Sequence, residues 1–179
     1  MAPKTRVGST FMTQELIDLR TSILEGRYKD ALAIVDELEE MSKQAILRNI
    51  QSFLLRMLIH LIKNKVEQRL TNSWAASIRG SVIEIKKLNI KANKKSYYIQ
   101  QDEWGLMLED ELEEAIYGAS VEVMNGVYSP LKLGEMVNKQ EIINIATRLL
   151  LLTYENEFKD KINEELSELP GGENWLTGK

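Results

Sequence analysis

The stretch Met41–Leu70, MSKQAILRNIQSFLLRMLIHLIKNKVEQRL, decides the fold. Its middle, Phe53 to Ile62, is hydrocarbon interrupted only by Arg56 and His60. At helical spacing the polar side chains fall on one thin stripe: Asn49, Ser52, Arg56, His60, Lys63 and Glu67, each three or four residues from the next. Most of the remaining circumference is apolar, including Ile46, Leu47, Ile50, Phe53, Leu54, Leu55, Met57, Leu58, Ile59, Leu61, Ile62 and Val66. A surface helix buries one face; this pattern predicts a helix enclosed on several sides. Each large side chain buried there contributes about 1.5–3 kcal/mol, so the helix supplies much of the drive to fold. The run is shorter than the about 20 apolar residues of a membrane span, and Lys63 and Lys65 follow at once. No membrane partner is expected.

The rest of the chain is built to surround such a helix. Its 179 residues suffice for one domain with a sizeable core. With 44% hydrophobic and 28% charged residues, the composition is that of a globular protein. Three prolines and ten glycines leave long stretches free for regular structure. A net charge of −4 gives no global field for nucleic acid. The absence of cysteine excludes disulfides, thiolate nucleophiles and cysteine metal sites. The opening residues lack the apolar core of a signal peptide, which places the protein in the cytoplasm.

The expected fold is all-α: a single-domain bundle of about six to seven helices around a central buried helix at about 41–70. Residues 1–11 read as a mobile N-terminal tail, 12–169 as the bundle and 170–179 as a C-terminal tail. A first helix at about 13–25 stops at Gly26. A second, at 27–43, carries Tyr28, Leu32, Val35, Leu38 and Met41, and is either continuous with the central helix or bent near Ser42. Its LEGRYKDAL segment resembles one turn of a tetratricopeptide repeat, but no second copy follows at a period of about 34 residues. Asn72-Ser73 marks a break and cap before a helix at about 74–88, where Gly80 leaves room for a close neighbour. An acidic helix at about 102–125 follows, ended by Asn125-Gly126. Ser129-Pro130 opens a short helix through Val137, and Asn138 caps a long one to about Phe158. A polar continuation follows, then Pro170-Gly171-Gly172 ends ordered structure, and Trp175 is expected to dock. No strand-like alternation occurs.

Three segments, DELEEMSK (36–43), LLRMLIHLIKN (54–64) and SWAASIRGSVIEI (73–85), resemble the mainly cyanobacterial helical family catalogued as domain of unknown function family twenty-nine. The matching residues are Leu38, Glu39 and Met41, then His60, Leu61 and Lys63, then Trp74, Ile78 and Arg79. The resemblance covers roughly residues 25–125. It implies an all-helical bacterial protein and brings no assigned activity.

Candidate chemistry is sparse. His60, the only histidine, shares its helix face with Arg56 and Lys63, and Trp74 and Arg79 follow, so these five define a candidate polar cleft. The plainer reading of His60 is a half-buried residue bonded to an acidic neighbour such as Glu37 or Glu40. Trp74 beside Arg69 and Arg79 suits stacking on a ring, but more simply plugs the core. Lys86, Lys87, Lys91, Lys94 and Lys95, followed by Tyr97 and Tyr98, form a candidate basic patch for nucleic acid. The adjoining acidic helix repels phosphate, and pairing of the two segments within the fold is preferred. Glu-x-x-His is absent, and Glu109, Asp110, Glu113 and Glu114 read as a solvated face rather than a carboxylate metal site. No phosphate loop, hydrolase triad or zinc-binding HExxH is present. No metal and no cofactor are expected. The expected function is therefore a non-enzymatic protein–protein interaction or regulatory module, with a protein partner or self-association. The alternatives are an antitoxin-like regulator using the basic segment, and a small-ligand binder or enzyme centred on His60.

Overall fold

The structure is a computed structural model that describes residues 6–178, with side-chain surroundings from Met12 onward. It contains seven α-helices among the described residues: α1 (Arg6–Leu24), α2 (Tyr28–Glu67), α3 (Asn72–Asn89), α4 (Trp104–Glu122), α5 (Pro130–Met136), α6 (Lys139–Leu151) and α7 (Phe158–Ser167). No strand occurs among these residues; one isolated bridge pairs Ile90 with Tyr97 across the turn that holds Lys94 at φ 56°. The fold is all-α, as the periodicity predicts. Residues 28–43 and the central stretch belong to one helix, α2, which continues through Ser42. The expected first helix begins earlier, at Arg6, so residues 6–11 are helical; the remainder of the expected N-terminal tail lies outside the described residues.

The chain divides into two compact units, 1–47 and 48–179, with the boundary inside α2. Helical periodicity carries no signal for that boundary. In the first unit, Gly26 at φ +73° ends α1, and Arg27 N–H donates to the Ser22 carbonyl at 2.8 Å. Arg27 then pairs with Glu25 at 2.7 Å and Asp30 at 2.8 Å, fixing the start of α2. Among residues 12–47, Ser22 and Ala31 alone are buried.

The second unit holds the core. Ile50, Leu54, Met57, Leu58, Leu61 and Ile62 of α2 are fully buried, as the enclosed-helix reading requires. They are joined by Ile78, Val82 and Ile85 of α3, Trp104, Leu108 and Ala115 of α4, Leu133 of α5, Ile142 and Leu150 of α6, and Ile162 and Leu166 of α7. α2 is the one helix among the described residues long and apolar enough to cross a membrane, although a buried core helix has the same composition.

Side-chain caps place the remaining helices. Thr71, one residue before the expected break, accepts from Trp74 N–H at 3.1 Å and starts α3. Ser129 accepts from Lys132 N–H with Pro130 at the first helical position, and Asn138 accepts from Glu141 N–H. α6 ends at Leu151, short of the expected Phe158, because residues 152–154 tighten into a 3-10 turn. Gly80 has no atom within 4 Å of where a Cβ would sit, so the close neighbour expected there is absent. The close approach is at Gly118, where a Cβ would meet Ile59 Cδ1 at 2.7 Å. Order also continues past Pro170. Its carbonyl accepts from the buried Asn64 side chain at 2.8 Å, and Gly171, at φ +77°, lies against the backbone of Arg69 and Leu70.

Candidate functional site

The five residues of the candidate polar cleft all lie in the second unit, on α2 and α3. The hollow at His60 gathers two of them, Arg56 and His60. His60 stands over a small hollow of about 230 Å³ lined by Ser52, Leu55, Arg56, Ile59 and Glu122. Trp74, Lys63 and Arg79 are not part of that lining. The α2 stripe sinks along its length: Ser52 and Arg56 are exposed, His60 is half-buried and Lys63 is buried.

Each polar group near His60 already has an assignment. Arg56 Nη2 donates to Ser77 Oγ on α3 at 3.2 Å. The Ser52 hydroxyl donates to the Arg48 carbonyl at 3.1 Å. Lys63 pairs with Glu122 at the end of α4, and its Nζ lies 4.8 Å from the centre of the Trp74 ring. The Arg69 guanidinium also lies over that ring, at 4.7 Å, and is held by Glu67 at 3.0 Å. Trp74 is buried, so the plug reading describes it well, with two cations stacked on it. Arg79 is half-buried, and no hydrogen bond or ion pair holds it among the described residues.

The carboxylate acting on His60 is Glu122, in place of the expected Glu37 or Glu40. Burial and the charges of Lys63 and Arg56 push the imidazole down to about 4, against the opposing pull of Glu122. The ring is therefore neutral at pH 7. Its Nδ1 is buried without a hydrogen-bond partner. Glu122 is in turn held below the usual carboxylate range, chiefly by its hydrogen bond from Lys63. The hydroxyl in the lining beside this neutral imidazole, Ser52, is bonded within its own helix. Among the described residues no group of three or more His, Asp or Glu converges as a metal site.

The basic patch is also dispersed. Lys86 donates to the Glu155 carbonyl and lies 4.2 Å from the Phe158 ring centre. Lys87 pairs with Glu84 within α3 at 2.8 Å, and Lys91 lies over Tyr98 at 5.3 Å. Lys94 and Lys95 are exposed in the turn. Tyr97 packs edge-on against Tyr154 at 4.6 Å and is spent inside the fold. The expected pairing of this segment with the acidic helix does not form among the described residues: the lysines reach partners on α3, near α7 and in their own loop. Charge alone pointed at α4, but the chain turns at 89–100 and sends these side chains elsewhere.

Two groups were not legible as important in the sequence. Buried Asn64 ties the end of α2 to the C-terminal segment through the Arg69 and Pro170 carbonyls. Buried Asn89 donates to the Ile99 carbonyl and accepts from Ile99 N–H, joining a network with Tyr154 and Trp104. Asparagine in a helix carries no pattern signal until the loop it satisfies is in place.

A larger opening than the His60 hollow lies elsewhere, between α4 and α5. It is a groove of about 550 Å³, within the usual range of binding sites. Leu112 and Ile116 form its apolar base, with Gly134 of α5 placed so that an added Cβ would be in ordinary contact with Ile116. Tyr117 and Leu131 stand beside it, 56% and 78% exposed. Glu109, Glu113 and Glu135 edge the groove against a single cation, Lys139. The acidic face that the sequence marks as solvated is thus one lip of an apolar cleft. A smaller hollow of about 300 Å³ is lined by half-buried Trp175 with Leu70, Asn72 and Asn174.

No family model matches the chain, and no curated protein or solved structure matches it.

Proposed function

We propose that this chain is a non-enzymatic, cytoplasmic protein-interaction module whose α4–α5 groove receives an amphipathic helix of a partner protein. The observation that carries this reading is the groove itself: an apolar base and two exposed large side chains, edged by three carboxylates and one lysine. An apolar groove with an acidic lip suits a helix that presents aliphatic or aromatic anchors at three- and four-residue steps, flanked by Lys or Arg. The polar residues around His60 support the same reading from the other side, because each is committed to a structural contact. The nucleic-acid alternative retains support from Lys94 and Lys95 alone. Kinship with the domain of unknown function family twenty-nine is part of the proposal, on the three motifs quoted above, and adds no activity to it.

The test is affinity purification of the tagged full chain from its native cells, with and without nuclease, beside the variants Tyr117→Ala and Leu131→Glu. A stoichiometric protein that survives nuclease and is lost with either variant is the expected result. A partner retained by both variants, or one released by nuclease, overturns the groove assignment.

A further inference from the structure

The first unit presents a second surface, and it fits a different occupant. On α1, Met12, Leu16 and Ile23 are each about half exposed; on α2, Tyr28 and Leu32 are 66% and 63% exposed. With Ser22 and Ala31 alone fully shielded among residues 12–47, this pair of helices encloses almost none of its own hydrocarbon. Exposed apolar surface on this scale marks an interaction site.

The positions show how the surface is laid out. An α-helix turns about 100° per residue. Met12, Leu16 and Ile23 therefore lie within about 40° of one another on α1, and Tyr28 and Leu32 lie within about 40° on α2. Buried Ser22 and half-buried Leu19 on α1, and buried Ala31 with half-buried Val35 and Leu38 on α2, are the sides that face inward if the helices pack as a hairpin, the arrangement that a connection of three residues favours. Both exposed stripes are rotated from those positions in the same sense along the chain. The three-residue connection at 25–27, with Gly26 at φ +73°, has the length of an antiparallel helix–helix hairpin, and in a hairpin the same sense of rotation puts both stripes on one broad face.

We infer that a second copy of this chain covers that face, pairing two hairpins about a two-fold axis into a four-helix bundle. A two-helix apolar face meets its own complement when a two-fold lays α1 of one copy against α2 of the other. The area is sufficient. At roughly 200 Å² for each large side chain, the five residues expose roughly 500 Å² per copy. Complete burial of these side chains in a pair removes on the order of 1,000 Å² of apolar surface, the threshold for a biological interface, and rim contacts add to it. The inference is independent of the α4–α5 groove, which lies in the other unit.

The experiment is sedimentation equilibrium of the full chain from about 1 to about 100 μM. It is repeated with Leu16→Glu/Leu32→Glu, which changes only exposed positions and so leaves each protomer able to fold. The wild type is expected at twice the 20.6 kDa chain mass. The double variant is expected at half that value with an unchanged far-UV spectrum. Because the chain has no cysteine, Leu16→Cys offers a second readout: a short bis-maleimide links it into dimers, whereas Leu106→Cys on α4 stays unlinked. A wild type of single-chain mass throughout the range overturns the inference. So does a dimer that survives the double variant, or flotation with lipid vesicles that the double variant abolishes, which would assign the face to a membrane surface.

Discussion

Removing one oxygen atom, in Tyr154→Phe, tests how the second unit holds its polar interior. The Tyr154 hydroxyl donates to the Ile99 carbonyl at 2.7 Å and accepts from Trp104 Nε1 at 2.7 Å and from Asn89 Nδ2 at a longer 3.3 Å. After the substitution Asn89 and Ile99 keep each other, through bonds of 2.7 and 3.1 Å. Trp104 keeps nothing: it is 0% exposed, and its N–H has no other partner among the described residues. Stranding a buried donor costs about 1–3 kcal/mol, and the lost hydroxyl bond adds about 1. The expected loss is about 2–4 kcal/mol, a large fraction of the 5–15 typical of a domain. Urea unfolding followed by far-UV circular dichroism measures it, and an unchanged m-value shows that the folded and unfolded ensembles are otherwise alike. The same substitution in a Trp104→Phe background, where no indole N–H exists to strand, should cost about 1 kcal/mol or less. A loss below about 0.5 kcal/mol, or equal losses in the two backgrounds, would refute the argument that the Trp104 donor carries the penalty.

Other perturbations read other contacts. Glu122→Ala leaves buried Lys63 without its carboxylate and should cost about 1–2 kcal/mol, discounted because Glu122 is itself exposed; adding Lys63→Met should recover most of it, as denaturation midpoints will show. His60 has its folded value lowered to about 4 from 6.5. The unfolded chain therefore takes up the proton first, and stability is full above pH 6.5 and falls as pH drops toward 4. Between pH 7.5 and 5 the wild type should lose about 1–2 kcal/mol more than His60→Gln, and parallel pH profiles would remove His60 from that account. Gly80→Ala, with open space around the new Cβ, should raise stability by about 0.5–1 kcal/mol. Gly171→Ala places a Cβ 2.7 Å from Leu70 N at a positive φ, and should lower the thermal midpoint by several degrees.

How much of this was legible in advance differs from element to element. The central helix was, because enclosure on several sides demands apolar residues around most of a circumference, and that demand is written into consecutive positions. The caps at Ser129 and Asn138 were, because a cap acts over three residues. The break before α3 was misplaced by one residue because Thr71, Asn72 and Ser73 can all cap, and only the backbone path selects Thr71. The candidate cleft was half legible. Arg56, His60 and Lys63 do share a stripe, but its carboxylate comes from Glu122, 59 residues beyond Lys63. No local spacing encodes a partner at that separation.

The amino-acid sequence by itself determined that the chain is helical, that the helix at 41–70 is enclosed in its core, and which chemistries its residue types exclude. Those properties follow from periodicity and composition, and each is a sum over neighbours in the chain. Tertiary structure alone decided that the lysines of 86–95 disperse, that Asn64 and Asn89 are buried at their posts, and that the acidic face of α4 borders an apolar groove. Each of these depends on which distant surfaces meet. That choice is made by the packing of whole helices and by the direction of a few turns, where a change of one residue rotates every side chain beyond it.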